Sequence, residues 1–209
     1  MNDQQDMLQS IISIIAKNVN ECDANYIIGI DGYSCAGKTS FTEQLMKYNI
    51  CERPVFVFHI DDYIKPSKFR YHTGYEQWVE HFFLQWDTSY ISENLFRAIK
   101  DNKTQIKLQH YCKGKDSVSE YIYEIPSKSI IIIEGVFLQR VEWRKYFDYV
   151  VFMDCPREIR FQREVIRSNH SYNLNHMISH YRERYWAAED YYDKTYKPLE
   201  ASDVIIRNY

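Results

Sequence analysis

The chain has 209 residues, 45% of them hydrophobic, with 26 basic against 29 acidic side chains and a formal charge of −3. That length supports one substantial core, and the balanced charge supplies no global positive field for a nucleic acid or an anionic membrane, so any phosphate binding has to be local. Five scattered cysteines without a CxxC pair fit neither a disulfide framework nor a zinc site, and no apolar run approaches the roughly 20 residues of a membrane span.

In chain order, Asp3 and Asp6 stand where a signal peptide would carry positive charge, so a cytoplasmic location is expected. Leu8, Ile11, Ile12, Ile15 and Val19 then recur at helical spacing behind Asp3 as a cap, which predicts an amphipathic packing helix. Short apolar runs follow at 26–31, 55–60, 130–134, 149–154 and 204–207. Most are continuously apolar, as in parallel strands covered on both faces. Helix-like stretches lie between them at 38–48, 89–100, 141–146 and 156–167, the last opening with Pro156 at its first position. Residues 103–125 differ: two β-rich runs flank Lys113-Gly114-Lys115-Asp116, which reads as a hairpin inserted into an α/β pattern. No linker, repeat or low-complexity stretch divides the chain, so one domain over 1–209 is expected.

The most specific stretch is Gly32-Tyr33-Ser34-Cys35-Ala36-Gly37-Lys38-Thr39, followed by Ser40, between the first strand and the next helix. It matches the phosphate-binding loop pattern in the context that pattern requires. Glycines let successive backbone N–H groups curl toward phosphate oxygens, and the helix start adds its positive dipole end. Lys38 is expected to reach the β and γ phosphates of a bound nucleotide, and Thr39 to offer its hydroxyl to Mg2+. Cys35, near a helix N-terminus, is expected to be a reactive thiol of lowered pKa.

Other strand ends supply acids. The run at 55–60 enters Asp61-Asp62-Tyr63; if the strand continues, the two carboxylates point to opposite faces and only one serves the site. A carboxylate there suits accepting a hydroxyl proton and ordering magnesium water. Glu134 ends the run at 130–134 and needs a cation, which magnesium beside Thr39 would provide. Arg160, Arg163 and Arg167 share one helical face suited to covering phosphates.

GIDGYSCAGKTS, FHIDDYI, IIIEGVFL, DCPREIRFQREVIR and SDVII, in this order and spacing, resemble the uridine kinase and phosphoribulokinase family of P-loop kinases from about Tyr26 onward. The resemblance implies a three-layer α/β P-loop fold of the nucleoside-monophosphate-kinase type, with a mainly parallel sheet, a helical lid at about 156–175 and the inserted hairpin. It implies ATP with Mg2+ as donor and a small hydroxylated acceptor. By motif, Asp61 matches the catalytic aspartate, Glu134 the strand-end glutamate that joins Thr39 and Asp61 at the metal, and Arg163 and Arg167 two lid arginines.

At the acceptor end, Trp86-Asp87 is similar to the family's aromatic-Asp pair, which assigns Asp87 to sugar hydroxyls; where the family places a histidine on the base after the inserted strand, this chain offers His110 and Lys113-Gly114-Lys115 instead. Tyr63 and Tyr111 complete the expected acceptor set. The family's adjacent lid arginines are here Arg163-Glu164, and its later Arg-Gly-Arg is replaced by Asn169-His170-Ser171-Tyr172. A nucleoside is the leading acceptor. Another small alcohol, such as a sugar or vitamin precursor, stays open, as do a non-catalytic nucleotide-binding role and a homo-oligomer. His176 and His180 read as a surface pair, and Tyr181, Tyr185 and Tyr192 as packing residues. Neither a nucleic acid nor a membrane is expected as a partner.

Overall fold

The computed structural model describes residues 2–48, 50–168 and 174–208. Five strands form one parallel sheet in the order β2-β5-β1-β6-β7: β1 (Tyr26–Gly32), β2 (Val55–His59), β5 (Ile130–Gly135), β6 (Tyr149–Asp154) and β7 (Val204–Arg207). The second sheet is the inserted hairpin, β3 (Gln105–Cys112) paired antiparallel with β4 (Ser117–Glu124). Both were expected, and their bounds shift by a residue or two.

The sheet is covered on both faces because its central strands are apolar on both sides up to the acids Asp31 and Glu134 near their carboxyl ends. Ile131 and Ile133 face one core with Phe58, Phe82, Phe96, Trp86 and Tyr192; Ile130 and Ile132 face the other with Ile11, Ile15, Val19 and Phe41. The second layer is α1 (Asn2–Glu21) with α2 (Lys38–Leu45). Leu8, Ile11, Ile15 and Val19 are buried there, as their spacing predicts. The helix starts ahead of Asp3, so the backbone at that residue is helical rather than a cap.

The opposite layer contains α3 (Gln77–Phe83), α4 (Thr88–Ile91), α5 (Ala98–Lys100), α8 (Ala187–Tyr196) and α9 (Pro198–Ala201). A π-helical segment, Ser92–Arg97, joins α4 to α5, and another, Tyr181–Trp186, joins α7 (Leu174–His180) to α8. The helix α6 (Arg157–Arg167) follows β6, with Pro156 as its N-cap rather than its first residue. Residues 169–173 of the expected lid lie outside the described residues.

The helix expected at 141–146 is instead a turn closed by the single 3-10 turn Arg144–Tyr146. Six residues give too few hydrogen bonds to offset helix nucleation. Arg140 and Trp143 instead anchor the turn, donating to the Phe82 and Thr88 carbonyls at 3.2 and 3.4 Å. Among the described residues, no helix is long and apolar enough to cross a membrane.

Candidate active site

Parallel strands leave their carboxyl ends at one edge of the sheet. β1, β2 and β5 there deliver the phosphate loop, Asp61 and Glu134 to the rim of a cavity of about 550 Å³. The loop leaves β1 at Gly32, whose φ of +145° and close approach to the Met153 carbonyl admit no side chain. It re-enters helix at Gly37 with φ +98°, where a Cβ would collide with Asn208. Asn208 donates from Nδ2 to the Ala36 carbonyl at 2.8 Å and so pins the loop from the far end of the chain. Ala36 itself is buried in the core, and Tyr33 points away to donate its hydroxyl to Asp193. Both residues therefore contribute backbone, not side chain, to the loop. The first N–H groups of α2, at Lys38, Thr39 and Ser40, have no carbonyl a turn earlier to meet, and these residues line the cavity.

Lys38 donates to the Tyr33 carbonyl at 2.9 Å. The surrounding protein depresses its ammonium pKa, while Asp61, Glu134 and Asp31 pull it back up. Asp31 is a wholly buried strand acid that receives Tyr192 at 2.6 Å and Gln139 at 3.1 Å, tying β1 to α8 and the loop after β5.

Glu134 forms the corner opposite the loop. Its Oε1 accepts from the Thr39 hydroxyl at 3.0 Å and lies 2.6 Å from His59 Nδ1, whereas its buried Oε2 has no hydrogen-bond partner. Burial pushes the Glu134 carboxyl up, but the bond to His59, its charge, Lys38 and Thr39 outweigh that and hold it below the ordinary value. A buried carboxylate with one oxygen unpaired, beside a hydroxyl and an open cavity, fits a hard cation with oxygen ligands.

Asp61 lines this cavity and its neighbour, whereas Asp62 lines neither. The strand register that was expected to separate them does not apply, because Ile60–Tyr63 is a 3-10 turn after β2. Loss of bulk water around the Asp61 carboxyl raises its pKa, against the opposing charge of Lys38 and with Glu134 and Asp62 adding to the rise.

Helix α6 divides its arginines. Arg163 donates to the Cys35 carbonyl at 3.2 Å and lines the first cavity; Arg167 lines both cavities and pairs with Glu164 at 2.5 Å. Arg160, expected on the same phosphate-covering face, instead grips Glu189 with both nitrogens at 2.7 and 2.8 Å while 5% exposed. It braces the loop from behind, bonding the Ser34 carbonyl at 3.4 Å. The expectation for Cys35 is also corrected. Its thiol donates to Glu164 at 3.0 Å, and burial together with that carboxylate raises its pKa, outweighing the nearby Arg167 charge.

The second cavity, about 390 Å³, adjoins the first across Ser34, Asp61, Val136 and Arg167. Of the acceptor residues expected from sequence, Asp61 and Tyr111 line it. Asp87 does not: it caps α4, accepting from Tyr90 N at 2.9 Å. His110 is packed among Tyr63, Tyr121 and Tyr123, and Tyr63 is 6% exposed, so neither lines the cavity. The hairpin brings its next residue, Tyr111, to the wall because side chains alternate along a strand.

Several wall residues carried no signal in the sequence: His59, Arg70, Tyr71, His81, Gln85 and Asn208. Tyr185, read as packing, also lines the second cavity, whereas Tyr192 is core. His180 Nδ1 donates to Gln77 Oε1 at 3.1 Å. A family description of an AAA domain matches residues 28–186. A uridine kinase from Staphylococcus aureus is 28% identical over 148 residues, 69% of each chain. A solved structure described as a possible uridine kinase from Bacillus stearothermophilus is 36% identical, with a TM-score of 0.78 over 96% of this chain and 99% of its own. D-glycerate 3-kinase from Cryptococcus neoformans, 11% identical with a TM-score of 0.58 over 84% of this chain and 86% of its own, shares the fold alone. The relatives support a small-molecule kinase. With its phosphate loop, sheet order and lid helix, the chain belongs to the AAA domain family and, within it, to the uridine kinase-like P-loop kinases.

Proposed function

We propose that the chain transfers the γ-phosphoryl group of ATP to a hydroxyl of a small molecule, with ATP in the first cavity and the acceptor in the second. The observation that carries this reading is that two separate cavities meet at Asp61. The phosphate loop and Lys38 hold the donor phosphates, and Arg163 and Arg167 offset charge that builds on the transferring group. Thr39 and Glu134, the latter with its unpaired Oε2, would hold Mg2+ together with water, and Asp61 would order that water. Held there, the ion would supply positive charge that neutralises charge developing on the phosphates.

Asp61 accepts the proton of the acceptor hydroxyl as its oxygen attacks the γ-phosphorus and the bond to the β-phosphate oxygen breaks, releasing ADP. Its raised pKa makes it a stronger base than an ordinary aspartate. A nucleoside is the first acceptor to test, because one of the relatives described above is named a uridine kinase and another is described as a possible uridine kinase. A second reading, a hydroxylated acid or sugar derivative, is favoured by Arg70 in the cavity wall.

ADP formation from ATP and Mg2+ across a panel of nucleosides, sugars and hydroxy acids tests the proposal. At least one acceptor is expected to stimulate it, and Lys38→Ala to lower the stimulated rate about 10²- to 10³-fold. Nucleotide binding without stimulation by any small alcohol would favour a non-catalytic nucleotide-binding protein.

A further inference from the structure

Arg70 is 7% exposed and forms part of the wall of the second cavity. Its Nε donates to the Lys65 carbonyl at 2.7 Å and its Nη2 to the Tyr111 hydroxyl at 3.3 Å. The rings of Tyr71 and Tyr111 lie 4.8 and 5.2 Å from the guanidinium carbon. Among the described residues, no carboxylate forms an ion pair with Arg70. Asp116 feels its charge but is taken up by the Ser67 amide at 2.8 Å and the Tyr111 hydroxyl at 2.9 Å. A buried guanidinium without a counter-charge is costly, and its planar fork matches a carboxylate or phosphate.

The rest of the wall points the same way. Lys113 and Arg167 add positive charge, and of the two acids in the wall Glu189 is already gripped by Arg160. That leaves Asp61 at the boundary with the donor cavity. His81 is 8% exposed in the same wall with an unpartnered Nδ1, and burial with the nearby Arg184 charge lowers its pKa to about 3, so it stays neutral. Arg70, Tyr111 and Lys113 line only the second cavity, on the part that the donor cavity does not share.

We propose that the acceptor carries a carboxylate or phosphate group besides its hydroxyl, and that Arg70 and Lys113 bind this anion while Asp61 meets the hydroxyl. The inference rests on the second cavity being the acceptor site. It selects a small hydroxylated acid or phosphate monoester over a neutral nucleoside.

Calorimetric titration tests it on protein saturated with Mg–ADP, so that the phosphate loop is occupied. The probes are inorganic phosphate, D-glycerate, glycerol and uridine. Saturable binding of phosphate or D-glycerate, and of neither neutral compound, is expected; which anion binds more tightly distinguishes the two sources. Arg70→Met should weaken the anion at least tenfold, and Lys113→Met, at an exposed turn that carries no core packing, severalfold. Arg70→Lys, which keeps the charge and loses the fork, should fall between wild type and Arg70→Met. Repeating the anion titration on Lys38→Ala without nucleotide keeps it independent of the donor reading, which loss of Mg–ADP binding by the wild type would overturn by itself. Failure of both anions to bind the wild type, or equal anion affinity in wild type, Arg70→Lys and Lys113→Met, would overturn the anion site.

Discussion

The two cavities proposed to hold donor and acceptor share a wall but are made differently. The donor side is built around the backbone of one continuous stretch between β1 and α2, with side chains from strand ends that the parallel sheet must bring together and two arginines of α6. The acceptor side is assembled from side chains on the segment after β2, α3, the hairpin, the loop after β5 and the helices following α6. The first arrangement leaves little room for variation, because Gly32 and Gly37 occupy positions where a Cβ collides. The second can change its ligand by single substitutions without disturbing the sheet. On the proposed function, chemistry resides on one side and selectivity on the other.

Substitutions on each side should therefore have different signatures. At the shared wall, Asp61→Asn should lower acceptor-stimulated turnover about 10²- to 10⁴-fold while Mg–ADP affinity stays near wild type. A matching loss of nucleotide affinity would mean that Asp61 serves only the donor side.

The acceptor wall depends on a buried frame in which Arg184, 1% exposed, bonds Glu80 at 3.2 Å and the Arg70 carbonyl at 3.2 Å. Glu80→Ala should cost about 3–5 kcal/mol of stability in chemical denaturation, because it strands a buried charge. Burial raises the Glu80 pKa, but two donations from Thr73, at 2.7 and 2.8 Å, and Arg184 outweigh it and depress the value. Its contribution is therefore fully present above the ordinary glutamate pKa and is lost as pH falls through the depressed value. Denaturation midpoints of wild type and Glu80→Ala should converge in acid and diverge toward neutrality.

Asp87→Ala should cost only about 1 kcal/mol, the loss of a helix cap, and leave the acceptor KM unchanged. A large rise in KM would restore Asp87 to the acceptor site. The smallest effect belongs to Cys35: mass-spectrometric mapping should find it slowly alkylated at neutral pH, and Glu164→Gln should speed the reaction by removing the carboxylate that holds its thiol protonated. Rapid labelling of wild-type Cys35 would contradict the raised pKa.

The same contrast explains how much of the molecule was readable in the sequence. Continuous apolar runs announced all five parallel strands, and the turn residues Lys113 to Asp116 announced the hairpin. The donor side was readable because its spacing is local: from Gly32 to Thr39, loop geometry dictates residue type. Asp61 and Glu134 were readable because strand ends converge. The acceptor wall was not, because Arg70, His81 and Tyr185 meet only through tertiary packing and their own neighbours show no periodicity. Asp87 and His110 were misplaced for the complementary reason. A capping aspartate and a stacked histidine look in sequence like ligands, and Arg160 looks like a lid residue until Glu189, 29 positions later, is seen to claim it.

The most direct measurement is the fate of the γ-phosphoryl group, followed by phosphorus NMR with Mg–ATP and each acceptor that binds the second cavity. The expected result is a new phosphate ester growing in step with ADP, with both signals reduced together in Lys38→Ala and Asp61→Asn. Inorganic phosphate growing in place of the ester, at a rate indifferent to the acceptor, would contradict a reaction path that joins the two cavities at Asp61.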